Sequence, residues 1–297
     1  MTGRAEGNAN GTDTVDERGE FGMPGSADDP LAGPAAAIAA VADRKPLAGR
    51  TVLVTGAAAG VGRGITLALG AAGASVVVTA RRKEAGAAVA DEITAAGGIA
   101  DVAVCDVTSP DEVAAALAAA VERFGRLDAV VHNATSRRSS EPVDLEHAPV
   151  DLWNEHAAVG SVATYTLARA AYPYLKATAG SYLVLTSPAG MQGSANLSFY
   201  AAAKGGQRGF VKSLAREWGP DGIRVNGLAP LAVTPALENA MRLDPTMERR
   251  ITDLIPMRWI GDTETDIGPC AVFLCSAASR YVTGQTLVVS GGRMTAL

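Results

Sequence analysis

Tyr200 and Lys204 lie four residues apart in a segment of helical spacing, 198–219, so both side chains leave one face about one turn apart. A free tyrosine ionises near pH ~10, too high to exchange protons efficiently at neutrality, but a neighbouring ammonium favours the phenolate. The two residues therefore read as an acid/base couple. With six tyrosines and five lysines in 297 residues, such a spacing arises by chance about 0.1 times per chain, so its position has to supply the rest.

A second constellation lies near the start of the folded region. The β-branched run Thr51-Val52-Leu53-Val54-Thr55 passes directly into Gly56-Ala57-Ala58-Ala59-Gly60-Val61-Gly62 and then into an apolar helical segment, Ile65–Ala72. Glycines let the backbone turn sharply and approach a pyrophosphate, while the free N–H groups and positive end of the helix stabilise its charge. Strand, glycine loop and helix in this order predict a dinucleotide site.

The elements that must hold these residues follow from the alternation of short β-branched runs with longer helical ones, which predicts an α/β fold with a doubly wound parallel sheet. Seven strands are expected, at Thr51–Thr55, Ser75–Thr79, Ala100–Cys105, Leu127–His132, Ser181–Ser187, Ile223–Leu228 and Gln285–Ser290. The length allows one such domain, 47–297, behind an extension, 1–46. Residues 1–30 are rich in Gly, Asp, Asn and Pro and nearly free of large aliphatics, so they are expected to be disordered. Residues 31–43 favour helix by composition, and Pro46 and Gly49 break the chain before the first strand.

Composition narrows the function. The formal charge of −5 resides in that extension, whose first 30 residues carry seven acidic and two basic side chains and leave the remainder balanced. A nucleic-acid binder usually shows a basic domain or stripe, so that class is set aside. No stretch approaches roughly 18 uninterrupted apolar residues, and the N-terminus lacks the apolar core of a signal peptide, so neither membrane nor secretion is expected. Cys105, Cys270 and Cys275 are odd in number and scattered, which points to a reducing cytoplasm. His132, His147 and His156 show no familiar ligand spacing, and no metal is expected.

The loop Thr55-Gly56-x-x-x-Gly60-x-Gly62 resembles that of the short-chain dehydrogenase/reductase superfamily. Cys105-Asp106-Val107 resembles that family's adenine-contacting Asp-Val, His132-Asn133-Ala134-Thr135 its Asn-Asn-Ala-Gly, and Tyr200-Ala201-Ala202-Ala203-Lys204 its Tyr-x-x-x-Lys. Ile223-Arg224-Val225-Asn226 and Gly284-Gln285 through Gly291-Gly292 match its sixth and closing strands, so the resemblance covers roughly 47–293 and extends to 3-oxoacyl reductase-like members. It implies a Rossmann-like doubly wound sheet of seven parallel strands with helices on both faces. It also implies hydride transfer between a nicotinamide and a ketone, an aldehyde or a secondary alcohol, with Ser187, Tyr200 and Lys204 as the catalytic residues.

Within that resemblance Ser187 would hold the substrate oxygen, Tyr200 would exchange the proton, and Lys204 would fix the nicotinamide ribose. Thr186 competes for the serine role, and strand alternation, which sends the two side chains to opposite faces, favours Ser187. The cofactor would be held by Thr55, Gly56, Gly60, Val61, Gly62, Arg63, Arg81, Arg82, Asp106, Val107, Asn133, Ala134, Pro230 and Thr234, together with Tyr200 and Lys204. Ala80 stands where NAD-preferring relatives carry Asp, and Arg81 and Arg82 follow it, so NADP(H) is favoured with NAD(H) possible.

Three departures accompany the resemblance. Gly160 falls where the family carries a catalytic Asn that helps hold a water joining the lysine to solvent. The loss is expected to impair or reroute proton relay, with Ser161, Asn154 and His156 nearby, and Gly160→Asn is then expected to raise activity. Thr135 replaces a Gly and His132 an Asn, the latter read as a packed strand-end residue. Leu231 follows Pro230 where a Gly is usual, with Thr234 one position early, so Thr234 is either kept as a nicotinamide contact or moved out of reach. The departures motivate an alternative: a cofactor-binding sensor or partner subunit with weak or no turnover.

The segment 231–260, with Leu237, Met241, Met247, Leu254, Met257 and Trp259, resembles the family's substrate lid, and these residues either receive a hydrophobic carbonyl or close the core. Arg137 and Arg138 are read as ordinary loop residues. The resemblance further implies a homotetramer or homodimer paired through segments 150–177 and 198–219.

Overall fold

A computed structural model describes residues 45–295, so the expected extension lies outside the described residues apart from Lys45 and Pro46. Its strands are β1 (Thr51–Thr55), β2 (Ser75–Ala80), β3 (Ile99–Val104), β4 (Ala129–His132), β5 (Ser181–Leu185), β6 (Arg224–Pro230) and β7 (Thr286–Val289). They form one sheet in the order β3-β2-β1-β4-β5-β6-β7, with every pairing parallel.

Successive residues alternate between two apolar layers, as the period of two in a strand requires. Leu53, Val77, Val130, Tyr182, Val184 and Val225 face one layer, packed on α3 (Pro110–Phe124), α5 (Ala163–Thr178) and α7 (Ser198–Trp218). Val52, Val54, Val76, Val78, Val131 and Leu183 face the other, against α1 (Gly60–Ala71), α2 (Lys83–Ala95) and α10 (Gly268–Cys275). Residues buried on both faces explain the near-continuous Val/Leu runs of the sequence.

The expected seven strands are all present, with ends shifted by a residue or two. β5 stops at Leu185, since Pro188 leads into a short helix, α6 (Ala189–Gln192), and draws Ser187 off the ladder. β7 starts at Thr286, because the amide of Gln285 is taken by Asn226 Oδ1 at 3.1 Å. The 150–177 segment is interrupted: α4 (Val150–His156) runs through a π-helical stretch, Ala157–Val162, into α5. The lid region contains α8 (Pro235–Leu243) and α9 (Met247–Thr252). No helix among the described residues is long and apolar enough to cross a membrane. Strand order reverses between β1 and β4, and the crevice at the carboxyl ends of strands flanking such a point is where ligands bind in open α/β sheets.

Candidate active site

A cleft of about 870 Å³ opens at those carboxyl ends. Following the sheet across, its wall runs from Arg81 and Arg82 beyond β2, through the glycine loop after β1 and Asn133 and Ala134 after β4, to Thr186 after β5 and Pro230 at the end of β6. Tyr200 and Lys204 line the same cleft.

The glycine loop has the features a pyrophosphate needs. α1 carries neither a side-chain cap nor an acidic residue in its first turn, so its leading N–H groups are not consumed by the protein's own side chains. The loop is held closed by Asn133, whose Nδ2 donates to Thr55 O at 3.2 Å and Gly56 O at 2.9 Å. Gly62 sits so tightly beneath it that a Cβ would fall 2.2 Å from Gly56 O and 2.3 Å from Asn133 Nδ2. Gly62→Ala is therefore expected to cost about 1–3 kcal/mol of stability and to weaken dinucleotide binding at least about tenfold. Thermal unfolding and nicotinamide fluorescence read the two effects, and wild-type values for both would show that the loop yields.

Thr55 and Arg63 are placed differently from the sequence expectation. The Thr55 hydroxyl is buried beneath the loop, where Oγ1 accepts the amides of Asn133 at 3.0 Å and Ala134 at 3.2 Å. With both lone pairs engaged, its hydrogen goes to His132 Nδ1 at 3.1 Å, which assigns the ring proton to Nε2. Thr55 thus braces the loop from below. Arg63 is half-exposed and forms a bidentate ion pair with Glu92, away from the cleft wall. Its guanidinium is spent on that neighbour, and among the expected phosphate receptors Arg81 and Arg82 are the two that line the cleft.

Further along, Asp106 and Val107 line the cleft as expected. Burial pushes the Asp106 carboxyl up, but hydrogen bonds from Thr108 N at 2.9 Å and Oγ1 at 2.7 Å, with nearby Arg81, hold it below the usual carboxylate range. Gly56, Gly60, Val61, Gly62, Pro230 and Thr234 are all on the wall. Thr234 stays at the cleft, where its Oγ1 also accepts Leu237 N at 3.3 Å and so caps α8. Cys105 lines the cleft too, but burial and the nearby Glu112 push its thiol up to about 11, which leaves it unreactive at neutral pH.

At the catalytic end, burial raises the Tyr200 phenol, and the nearby Ser187 hydroxyl offsets part of that rise. In the structure burial is the largest influence on the Tyr200 phenol, and it outweighs the help expected from the neighbouring Lys204 ammonium. Lys204 Nζ lies 5.8 Å from the Tyr200 ring centroid and donates to Leu185 O at 2.5 Å. Burial brings this lysine down to about 8. The resting tyrosine is therefore a protonated phenol beside a lysine that titrates close to neutrality. Ser187 is near Tyr200 but is not on the cleft wall itself, and its Oγ accepts Ala189 N at 3.2 Å. Thr186, its competitor, donates its hydroxyl to Leu228 O at 3.3 Å.

His132 is fully buried, and burial with the neighbouring Lys204 charge lowers it to about 3, so it is neutral throughout the ordinary range. His156 packs edge-on to Tyr200, ring centroids 6.4 Å apart, whereas Asn154 and Ser161 are exposed. Thr135 and Arg137 line the cleft, while Arg138 turns to Glu141 and Asp151. From the lid, 231–236 supply cleft residues, whereas Leu254, Met257 and Trp259 are exposed and neither line the cleft nor close the core. Two residues carried no signal in sequence reasoning: Glu155, a cleft residue whose Oε1 accepts the Ser136 hydroxyl at 2.5 Å, and Gln207, buried on the catalytic helix.

Gly160 lies in the π stretch, and a Cβ there would meet Ala203 Cβ at 2.7 Å. This closes the slot that Gly160→Asn would need, so the expected gain in activity is replaced by the opposite: a lower melting temperature and no increase in turnover. A rise in kcat without loss of stability would show that α7 can move aside.

Comparison with known proteins agrees with this geometry. A family model described as enoyl-(acyl carrier protein) reductase matches residues 56–294. A 12alpha-hydroxysteroid dehydrogenase of Clostridium sp. is 35% identical over 254 residues, covering 82% of this chain and 96% of that protein. The 7alpha-hydroxysteroid dehydrogenase of Escherichia coli is 34% identical over 252 residues, covering 84% and 96%. Among solved structures, a gluconate 5-dehydrogenase from Burkholderia cenocepacia in complex with NADP and tartrate superposes with a TM-score of 0.79 at 31% identity, covering 86% of this chain and all (100%) of that one. A 7 alpha-hydroxysteroid dehydrogenase complexed with NADH and 7-oxo glycochenodeoxycholic acid gives a TM-score of 0.78 at 34% identity, covering 84% and 96%.

Proposed function

Because the chain belongs to the short-chain dehydrogenase/reductase family, we propose that it is an NADP(H)-dependent oxidoreductase in which Tyr200 exchanges a proton with the oxygen of a ketone, an aldehyde or a secondary alcohol. It is an enzyme of the CH–OH/C=O class that uses NAD(P). The observation that carries the finer reading is that one cleft holds both ends of the chemistry, with two arginines lacking any ion pair among the described residues at the β2 end and the half-buried Tyr200 beside the buried Lys204 near β5.

The glycine loop and the α1 N-terminus would hold the pyrophosphate, Asp106 and Val107 the adenine side, and Arg81 and Arg82 a 2′-phosphate. When bound, the nicotinamide supplies or accepts hydride. In reduction, the hydroxyls of Ser187 and Tyr200 hydrogen-bond the carbonyl oxygen. Tyr200 then gives its proton to that oxygen as it gains negative charge, and the Lys204 ammonium offsets the phenolate left behind. Oxidation runs the same transfers backwards.

Lys204 sets the sign of the pH dependence. It is charged below about 8 and neutral above, so kcat/KM for reduction is expected to fall above that point by roughly tenfold per pH unit. A profile flat well beyond pH 8 would remove Lys204 from the proton step.

Hydroxysteroid and gluconate relatives make cyclic ketones and polyhydroxylated carbonyls the first substrates to try. Titration with NADPH and NADH at matched ionic strength, followed by nicotinamide fluorescence, tests the cofactor reading. Tighter NADPH binding supports it, and binding of neither would overturn it. A homotetramer or homodimer is proposed through the α4–α5 face, where Val150, Trp153, Val162 and Tyr165 are exposed, and light scattering reads it. The buried, unpaired Cys105 and Cys275 support a reducing, cytoplasmic setting.

A further inference from the structure

Gln207 stands on α7 three residues beyond Lys204 and is 2% exposed. Its Nε2 donates to Gly160 O at 2.9 Å and to Thr164 Oγ1 at 2.9 Å, and the Thr164 hydroxyl donates in turn to the same Gly160 carbonyl. Both lone pairs of that carbonyl are thus engaged. It belongs to the π stretch, where the regular helical ladder is displaced by one residue and a carbonyl is available to a side chain.

Packing alone does not account for this residue. Gln207 Oε1 is buried and has no partner among the described residues. A buried amide with an acceptor left unpaired costs about 1–3 kcal/mol, which an apolar side chain of the same length avoids. What the amide does is span the gap between α7 and the π stretch, one turn along α7 from Ala203. Ala203, between Tyr200 and Lys204 in sequence, packs on Gly160, where even a methyl group has no room. Any slip of the π stretch along α7 is therefore felt at the Tyr200–Lys204 couple.

We propose that Gln207 is a positioning residue for catalysis: by tying the Gly160 carbonyl to the catalytic helix it fixes the setting of Tyr200 and Lys204 in the cleft. The inference rests on the acid/base role proposed for those two residues. A bound geometry displaced by about 1 Å can cost roughly a hundredfold in rate, so the effect belongs in kcat rather than in cofactor binding.

Gln207→Met keeps length and removes the donor, and Gln207→Glu keeps a donor only while its carboxyl is protonated. The Met variant is expected to bind NADPH within about threefold of wild type, with kcat about 10–100-fold lower. Amide hydrogen exchange across 160–166 is expected to be at least about tenfold faster. The Glu variant should approach wild-type kcat at low pH and lose activity as its carboxyl ionises, adding a limb that neither wild type nor the Met variant shows. Wild-type kcat in the Met variant overturns the proposal, as does lost turnover with unchanged exchange or an equal loss of NADPH affinity. If the Met variant fails to fold, the pH limb of the Glu variant decides. Should the wild type reduce no carbonyl at all, the proposed function fails separately, and unchanged exchange in the Met variant still overturns the tie to Gly160.

Discussion

Tyr200→Phe is expected to lower kcat by about 10²–10⁴-fold while NADPH affinity stays within about threefold. Phenylalanine keeps the ring that packs edge-on to His156 and lies beneath the Lys204 ammonium, so the cleft should keep its shape. What disappears is the hydroxyl that lies near Ser187 and whose proton burial favours keeping. Steady-state rates and nicotinamide fluorescence on the same preparation separate the two quantities. Turnover within about threefold of wild type would mean that another group protonates the substrate.

The second large effect is on cofactor choice. Replacing both Arg81 and Arg82 by Ala is expected to weaken NADPH about 10–100-fold and NADH less than about threefold. Charge-assisted hydrogen bonds to phosphate are worth about 1.5–3 kcal/mol, but both arginines are exposed, so solvent screening reduces the gain from the pair. Arg63 should not compensate, because Glu92 already holds it. The NADPH preference should also shrink as salt is raised, since the interaction is between exposed charges. Equal losses for both cofactors would locate the arginines' effect in the adenine pocket or in folding.

Much of this is legible in the sequence alone. The strand, glycine loop and helix around residues 51–72 follow from local chemistry, since an anion site at a helix start needs that sequence order and little else. The Tyr200–Lys204 couple follows from helical period, and the seven strands from β-branched runs that are buried on both faces. The rest depends on contacts between distant segments. Whether Arg63 meets a phosphate or Glu92 is decided by a residue 29 positions away on α2. The direction of the Tyr200 shift depends on how deeply the ring is buried, and spacing along a helix does not report burial. Gly160 looks like a missing side chain in the sequence, and only the approach of Ala203 shows that no side chain fits there. Gln207 gives no signal at all, because a glutamine on an amphipathic helix is ordinarily a solvent-facing residue.

The most direct measurement is NADPH consumption by the purified enzyme against a panel of cyclic ketones, aldehydes and polyhydroxylated carbonyls, with Tyr200→Phe run in parallel. Oxidoreductase chemistry at this cleft predicts substrate-dependent loss of NADPH absorbance in the wild type and almost none in the variant. Tight NADPH binding with no consumption across the panel, or equal consumption by both proteins, would contradict it.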